Sequence, residues 1–269
     1  MIKLKNSYEI ARIRDASEIL VETLKELIKI TAPGQTTKEL EKTAKNILEK
    51  RGAKPSFLNY MGFPSALCTS INQEVIHGIP NNRKLKEGDI ISIDLGVELS
   101  GYFSDCTVTL PIGKVSEEAR RLLKVTEECL YRGISVAYLG NRIHDISRAI
   151  YQHAKKHGYG IVRQFCGHGV GFSQHEDPQI PNYIGSGPNP RIKKGMVLAI
   201  EPMINLGTDD VKILDDGWTV ETSDGKLSAH FEHTIAIFED YTEILTKFDS
   251  MESIFTGCEK NENKASVKK

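Results

Sequence analysis

Two aspartates in one apolar hairpin are the residues of this chain that point most clearly to chemistry. The segment GDIISIDLGVELSGYFSDCTVTL holds two apolar runs around a turn at residues 98–101, which predicts a β-hairpin with Asp94 and Asp105 on its two strands. If Leu99 and Ser100 form a two-residue loop, Asp94 lies directly opposite Asp105, where like charges destabilise the pair. A shared divalent cation reverses that sign, because hard cations prefer carboxylate oxygens. The hairpin predicts either a metal site or a β-bulge that turns one aspartate towards solvent.

Two glutamates lie among apolar neighbours in the second half of the chain. Glu201 stands in MVLAIEPMI and Glu232 in SAHFEHTIAIF, and both segments read as strands, over residues 196–204 and 229–238. A carboxylate inside a buried strand costs several kcal/mol unless it is paired or bound to a metal. Each glutamate alone is also explained by an edge strand whose acid faces water. Together with the two aspartates, they favour one shared metal site.

Three histidines stand near glycines or turns, where the backbone can aim a side chain at a site. His168 and His175 belong to the run CGHGVGFSQHEDP, whose glycines let the chain bend so that side chains converge. His77 precedes a turn in EVIHGIP. A single histidine of this kind is more often a surface or satisfied core residue than a ligand. Four acids in apolar strands and two histidines in one loop are harder to explain independently, and they predict a metal-binding constellation.

Composition and charge are those of an ordinary globular protein. The chain has 269 residues, of which 39% are hydrophobic and 26% charged, and its net charge is −1. This balance gives no reason to expect nucleic acid or an anionic membrane as a partner, and no apolar run reaches the ~20 residues that cross a bilayer. The N-terminal segment reads as an amphipathic helix with acids rather than a signal peptide. Five scattered cysteines without CxxC spacing favour reduced thiols and a cytoplasmic location.

The elements that must position these residues occur in a repeated order. Each half of the chain, about 5–112 and 113–248, reads as two helices followed by strands. Thr36 with Glu39 predicts a capping box, and Ser116 can cap the third helix. Helices are expected at 7–30, 37–52, 117–132 and 143–157, and strands at 66–71, 90–97, 102–110, 161–165, 196–204, 218–221 and 229–238. Two such halves predict an α+β fold with helices on the outer face of an antiparallel sheet.

The motifs together resemble a known family. IHGIP, the aspartate hairpin, GHGVG followed by HEDP, then IEP and FEHT occur in the order and spacing of the type I methionine aminopeptidases. The resemblance implies the pita-bread fold, in which a pseudo-twofold pair of halves surrounds a curved antiparallel sheet, as one catalytic domain over 1–255. Residues 256–269, poor in apolar side chains, are predicted to form a disordered tail. The large N-terminal domain of prolidases and the inserted subdomain of type II enzymes have no counterpart, so the sequence is similar to the short bacterial form.

The resemblance implies a role for each reactive residue. Five residues match the metal ligands of the family: Asp94, Asp105, His168, Glu201 and Glu232. Asp105 and Glu232 are expected to bridge two divalent ions, and carboxylates with an imidazole suit Mn, Fe, Co or Zn. Paired ions can make hydroxide available near neutral pH for attack on the peptide. Glu201 is the expected proton carrier, while His77 and His175 are expected to contact the substrate, with His175 stabilising the oxyanion or the amide nitrogen.

A second set of residues matches the specificity pocket of the family. These residues are Phe57, Tyr60, Phe63 and Cys68 in SFLNYMGFPSALC and Trp218 in GWTVET. Aromatic rings and a thiol suit a thioether side chain, although the same residues are also typical of plain core packing. Two positions depart from the family, because Asn59 replaces the usual glycine and Gln174 replaces a commonly apolar residue. Neither is expected to touch a metal ligand, so both bear on substrate preference rather than on activity.

The function implied by the resemblance is removal of the initiator methionine from nascent polypeptides with a small second residue. The expected partners are nascent N-termini, near the ribosome, and the expected state is a monomer that binds no specific nucleic acid. Two alternatives stand beside this interpretation, a broader aminopeptidase of the same fold and a non-catalytic pita-bread scaffold that binds protein or RNA. The pocket segment argues against the first alternative, and the complete ligand set argues against the second.

Overall fold

The computed structural model describes residues 1–248. The tail expected at 256–269 and the end of the domain expected over 1–255 lie outside the described residues. The helices are α1 (Ser7–Ile30), α2 (Thr37–Lys50), α3 (Glu117–Ser135) and α4 (Ile143–Lys156), with a short 3-10 helix at Tyr60–Gly62. The strands are β1 (Lys54–Pro55), β2 (Cys68–Ile71), β3 (Glu74–Ile76), β4 (Ile90–Leu99), β5 (Tyr102–Pro111), β6 (Gly160–Ile161), β7 (Gly167–Gly169), β8 (Glu176–Ile180), β9 (Val197–Ile200), β10 (Met203–Asn205), β11 (Val211–Ile213), β12 (Val220–Thr222), β13 (Ser228–His230), β14 (His233–Ile237) and β15 (Thr242–Ile244).

The helices begin at caps that satisfy their first backbone N–H groups. Thr36 and Glu39 form the predicted capping box on α2, and the Ser116 hydroxyl accepts a backbone N–H at the start of α3. Asn6 and Glu9 form a further capping box on α1. Helix α1 packs on α2 and on the β4–β5 hairpin, while α3 packs on α4 and on β10 and β13. The predicted order of two helices followed by strands is confirmed in both halves.

The strands of residues 1–248 form four sheets, and every strand pair within them is antiparallel. A four-stranded sheet joins β1, β4 and β2 in that order, with β5 also paired to β4. A five-stranded sheet has the order β15-β14-β9-β7-β8, and two three-stranded sheets have the orders β13-β10-β6 and β11-β12-β3. The α+β expectation with antiparallel sheets is therefore confirmed.

The register predicted for the aspartate hairpin is wrong. The loop between β4 and β5 consists of Ser100 and Gly101, with φ angles of 53° and 83°, and not of Leu99 and Ser100. A two-residue loop of this kind requires positive φ at both positions, which glycine adopts readily and leucine does not. Consequently Asp94 lies opposite Thr107, and Asp105 lies opposite Gly96. The two aspartates are diagonal neighbours on one face rather than a directly opposed pair.

The two long strands predicted around the glutamates are each interrupted. The segment 196–204 divides into β9 and β10, and the segment 229–238 divides into β13 and β14. Glu201 and Glu232 lie in the breaks, so the prediction that they stand inside continuous strands is wrong. Pro202 explains one break, because it has no N–H to donate to a central ladder. The strands before and after each break belong to different sheets, and the glutamates therefore lie where two sheets meet.

Two further expectations from composition can be compared with the structure. No helix within residues 1–248 is long and apolar enough to cross a bilayer. The four cysteines in the described part of the chain, which are Cys68, Cys106, Cys129 and Cys166, carry free thiols. The fifth, Cys258, lies outside it. The expected strand over 161–165 is limited to β6, and its remaining residues are irregular.

Candidate metal centre and active site

One cavity of about 130 Å³ collects the residues that the sequence singled out. All five predicted metal ligands, both predicted catalytic histidines and all five predicted pocket residues line it. Glu232 forms one candidate ligand group with Asp94 and Asp105 and another with His168 and Glu201, and in each group the ligand atoms lie within 4.8 Å of one another. A carboxylate that belongs to both groups has the position required of a bridging ligand.

The backbone near His168 brings that side chain to the acids. His168 lies in the middle of β7, opposite Ala199 of β9, so it stands beside the break that carries Glu201. A Cβ on Gly167 would lie 2.5 Å from the Ala199 carbonyl oxygen, and a Cβ on Gly169 would lie 2.2 Å from the Asp177 carbonyl oxygen. Only glycines fit these positions, because β7 runs very close to the backbone on each side.

The acids of the site are buried without enough protein partners. Asp105 and Glu232 are 3% and 2% exposed. Burial, followed by the negative charge of neighbouring acids, raises the pKa of Asp105 and of Glu232 well above the usual value. Burial and then Asp94 do the same for the pKa of Glu201. One oxygen each of Asp94, Asp105 and Glu232 is buried without a hydrogen-bond partner among the described residues. Clustered, unpartnered carboxylate oxygens fit divalent cations.

His168 presents a free nitrogen to these acids. Its Nδ1–H donates a 2.9 Å hydrogen bond to the Gly169 carbonyl oxygen, since a carbonyl can only accept. This bond leaves the lone pair on Nε2, which lies 3.4 Å from Glu201 Oε1 and 3.8 Å from Asp105 Oδ2. Burial lowers the pKa of His168 to about 3. A neutral imidazole whose second nitrogen is fixed by a carbonyl is the form that ligates metals.

His175 and His77 reach the cavity from two different segments of the chain. His175 Nδ1 lies 3.0 Å from the Tyr60 hydroxyl oxygen, and its ring centroid is 4.3 Å from that of His168. His77 follows β3 in a left-handed conformation with φ of 59°, which a non-glycine residue adopts at a cost. Its ring contacts Phe165 edge-on, with centroids 5.6 Å apart. Both histidines lie beside the acids rather than inside either group that contains Glu232, although His175 also forms a candidate group with Asp105 and His168.

The predicted pocket residues form a small apolar cluster next to the acids. Phe57, Phe63 and Cys68 are buried together with Trp218 packed against them, and the rings of Phe63 and Trp218 meet edge to face with centroids 5.2 Å apart. Cys68 lies opposite Asp94 in the β2–β4 ladder. The apolar cluster therefore adjoins the candidate metal centre directly. These residues line an open cavity, which distinguishes the pocket from plain core packing.

The structure adds one site residue that the sequence interpretation missed. His230 is 2% exposed, and its Nε2 lies 3.6 Å from Glu201 Oε2 without a hydrogen-bond partner among the described residues. Burial lowers its pKa to about 4. Its position two residues before Glu232 was a usable signal, since alternate residues of an extended segment point to the same face.

Comparison with known proteins places this geometry in a family. The model of metallopeptidase family M24 matches residues 11–239. The chain belongs to metallopeptidase family M24. Methionine aminopeptidase of Clostridium perfringens is 52% identical over 246 residues, which cover 91% of this chain and 99% of that protein. Methionine aminopeptidase 1 of Bacillus subtilis is 50% identical over 247 residues, covering 92% of this chain and 100% of that protein. The resemblance inferred from the motifs is confirmed.

Solved structures of M24 proteins agree with the fold. The crystal structure of methionine aminopeptidase from Rickettsia prowazekii aligns with a TM-score of 0.89 at 41% identity, covering 92% of this chain and 100% of that chain. The prolidase of Pyrococcus furiosus aligns with a TM-score of 0.75 at 24% identity, but this chain covers only 66% of it, and that likeness concerns the fold alone. The pita-bread expectation is confirmed, and the enzyme is a metallopeptidase.

Two departures of this M24 chain from the usual motif have different structural outcomes. Asn59 has a φ of 65°, a left-handed conformation that glycine and asparagine tolerate best, so the backbone of the pocket segment retains a glycine-like turn. Gln174 is 1% exposed, and its Nε2 donates a hydrogen bond to Asp105 Oδ2. The expectation that neither residue touches a metal ligand is therefore wrong for Gln174. The orientation of the Gln174 side chain depends on how the loop packs, and the local sequence does not encode that packing.

A further candidate ligand group lies on the helices, apart from the M24 site residues. It consists of Glu128 on α3 and His153 and His157 at the end of α4. These side chains already have protein partners. His153 Nε2 lies 2.7 Å from Glu128 Oε2, within hydrogen-bond distance, and Arg121 lies 3.4 Å from His157 Nδ1. The cluster therefore differs from the cavity, where one oxygen each of three acids has no hydrogen-bond partner within residues 1–248.

Proposed function

We propose that this enzyme removes the N-terminal methionine from polypeptides, with Asp94, Asp105, His168, Glu201 and Glu232 holding two divalent metal ions. The observation that supports this most is that an apolar pocket of rings and sulfur directly adjoins a cluster of buried acids, three of which have an oxygen without a hydrogen-bond partner among the described residues. The full-length relatives are named as methionine aminopeptidases. The pocket residues and the acids line one cavity. One substrate can therefore place its first side chain in the pocket while its first peptide bond reaches the acids.

The ligand set suits manganese, iron, cobalt or zinc, since four carboxylates and one imidazole satisfy all of these ions. When bound, such ions polarise the scissile carbonyl and lower the pKa of the attacking water. Asp105 and Glu232 would be shared by the two ions, because each is a carboxylate, with two oxygens to offer, that belongs to more than one candidate group. Asp94 would complete the donor set of one ion, and His168 with Glu201 would complete that of the other.

The side chains of this enzyme divide the remaining work between binding and proton transfer. Phe57, Phe63 and Trp218 enclose the methionine thioether, which gains contacts with aromatic rings of ~0.3–1.5 kcal/mol each. Glu201 accepts the proton of the attacking water and delivers it to the departing amide nitrogen. His175, held by Tyr60, donates to the oxygen of the scissile carbonyl as negative charge develops there. His77 binds the peptide beside its first bond.

The biological setting follows from the reaction. The substrates are polypeptide N-termini, as they emerge in the cytoplasm near the ribosome. We propose that residues 1–255 act as a single catalytic domain and that the enzyme works as a monomer, since one chain alone provides the candidate ligand groups and the pocket. These assignments are tested together by sedimentation of the active enzyme and by its association with ribosomes in cell extracts.

The decisive experiment is hydrolysis of Met-Ala-Ser by metal-stripped protein reloaded with each divalent ion. Activity should return only with metal. Asp105→Asn should abolish it, because this ligand is shared, and Asp215→Asn on the exposed surface should leave it unchanged. Chelation should also lower the melting temperature, since the acids then repel one another at close range. Full activity in chelator together with an unchanged melting temperature would contradict the metal centre.

Substrate choice tests the pocket separately from the metal. Peptides beginning Met-Ala or Met-Ser should be cleaved, whereas Met-Lys, Met-Phe and Leu-Ala peptides should resist. Trp218→Ala should raise KM for Met-Ala-Ser with little change in the bound metal. Comparable kcat/KM for methionine and leucine peptides would favour the broader aminopeptidase instead.

A further inference from the structure

Gln174 is a buried amide in the loop between β7 and β8. Its Nε2 donates a hydrogen bond to Oδ2 of Asp105. Its Oε1 is buried without a partner among residues 1–248. Burying an amide costs free energy unless hydrogen bonds compensate. The side chain therefore lies inside because of one specific contact, which is made to a carboxylate of the candidate metal centre.

The space that Gln174 occupies is provided by Gly96. Gly96 lies opposite Asp105 in the β4–β5 ladder. A Cβ at this position would lie 2.9 Å from Gln174 Oε1 and 2.6 Å from the Phe57 ring. Because glycine has no side chain there, the amide can pass between the pocket wall and the strand to reach Asp105. The fold thus leaves room for this hydrogen bond, and the Gln174 side chain is not a free surface group.

The second acid assigned as bridging has a comparable partner. The Thr107 hydroxyl donates a 2.9 Å hydrogen bond to Glu232 Oε2. Each of the two acids thus has one oxygen held by a neutral donor, while Asp105 Oδ1 and Glu232 Oε1 have no partner within the described chain. Neutral donors orient a carboxylate without cancelling its charge. Hydrogen bonds of this kind to metal ligands commonly contribute 10–100-fold to metal affinity.

We propose that Gln174 is a positioning residue, whose amide N–H holds the Asp105 carboxylate in the orientation in which it binds divalent metal. This inference rests on the metal centre of the proposed function. Thr107 performs the same task for Glu232. The Asp105 carboxylate is thus oriented by an amide from the loop between β7 and β8.

The test compares Co²⁺ binding to the metal-stripped full-length wild type and two variants. Gln174→Met keeps the length of the side chain and removes the donor, and Gln174→Leu provides a second apolar variant if the first folds poorly. Gln179→Met on the exposed face of β8 is the matched control. Titration calorimetry should give a Kd raised about 10–100-fold in both Gln174 variants and unchanged in the control. The visible spectrum of bound Co²⁺ should also shift, because the geometry around Asp105 changes.

The outcomes separate this inference from the proposed function. At saturating metal, KM for Met-Ala-Ser should stay near the wild-type value in Gln174→Met, while kcat falls. A folded, active Gln174→Met with the wild-type Kd and the wild-type Co²⁺ spectrum would overturn the positioning role alone. A wild-type protein that binds no Co²⁺ would overturn the metal centre and this inference together.

Discussion

Lys5 and Glu176 form a buried ion pair that fixes the loop carrying His175. Lys5 Nζ lies 2.6 Å from Glu176 Oε2, and the two side chains are 1% and 2% exposed. The other carboxylate oxygen, Oε1, accepts the backbone N–H groups of Phe172 and Ser173 at 2.7 and 3.0 Å. Burial is the main influence on Lys5 and lowers its pKa, whereas Glu176 opposes that effect. The N-terminal segment thus stabilises the loop that carries His175 through this buried ion pair.

Replacement of Lys5 by methionine should strongly destabilise the protein. The change leaves Glu176 buried with its charge unpaired, and breaking a buried pair in this way costs about 3–5 kcal/mol. Lys194→Met is the matched control, because Lys194 and Glu239 form an exposed pair whose loss should cost roughly 1 kcal/mol or less. Urea denaturation of the metal-loaded proteins measures both. Equal losses in the two variants would show that the buried pair has no special role.

Asn59 should tolerate glycine and reject a β-branched residue. Its φ of 65° and the 2.8 Å hydrogen bond from its N–H to the Phe63 carbonyl oxygen close the pocket segment. Asn59→Val should cost about 1–2 kcal/mol, because a residue with a branched Cβ is strained in the left-handed region. Asn59→Val should also raise KM, because the next residue, Tyr60, is one of the pocket residues. Asn59→Gly should remain close to wild type in both melting temperature and KM, and a stable, fully active Asn59→Val would contradict the argument.

The sequence allowed candidate ligand residues to be identified, but it did not show how the backbone brings them together. Acids within apolar segments and a glycine-flanked histidine are chemically conspicuous, so Asp94, Asp105 and His168 stand out as candidate ligands in the sequence alone. The hairpin register depended on whether Leu99 or Gly101 entered the loop, and the lower cost of positive φ at glycine decided it. That shift of the loop turns a directly opposed pair into a diagonal one.

The hydrophobic pattern of the sequence did not reveal the strand breaks at Glu201 and Glu232. Apolar residues flank both glutamates, so periodicity alone extends the strands across them. Pro202 was the available signal for the first break. Phe231 offers no comparable signal for the second. The burial of Gln174 depends on the space left by Gly96 of a distant strand, and local sequence carries no information about such a contact.

His175→Ala should retain its metal and lose activity. His175 is held by the Tyr60 hydroxyl, which leaves its other nitrogen for the substrate. Loss of one donor to a developing oxyanion lowers kcat on the order of 10²–10³-fold. Metal analysis of the purified variant decides the role, because His175 also lies in a candidate ligand group with Asp105 and His168. Loss of bound metal in His175→Ala would make it a ligand, and His157→Ala at the end of α4 serves as the control for both readouts.

His230 should assist Glu201 as a hydrogen-bond donor. Glu201 lies between two imidazoles, with His168 Nε2 3.4 Å from Oε1 and His230 Nε2 3.6 Å from Oε2. The second distance is longer than a hydrogen bond, but catalytic contacts often tighten when substrate binds. His230→Leu removes the donor and should lower kcat about 10–100-fold, the scale of a hydrogen bond to a charged group. His230→Gln keeps an N–H of similar reach and should restore most of kcat. Both variants should bind metal as the wild type does. If Leu and Gln give the same kcat, His230 acts only through packing.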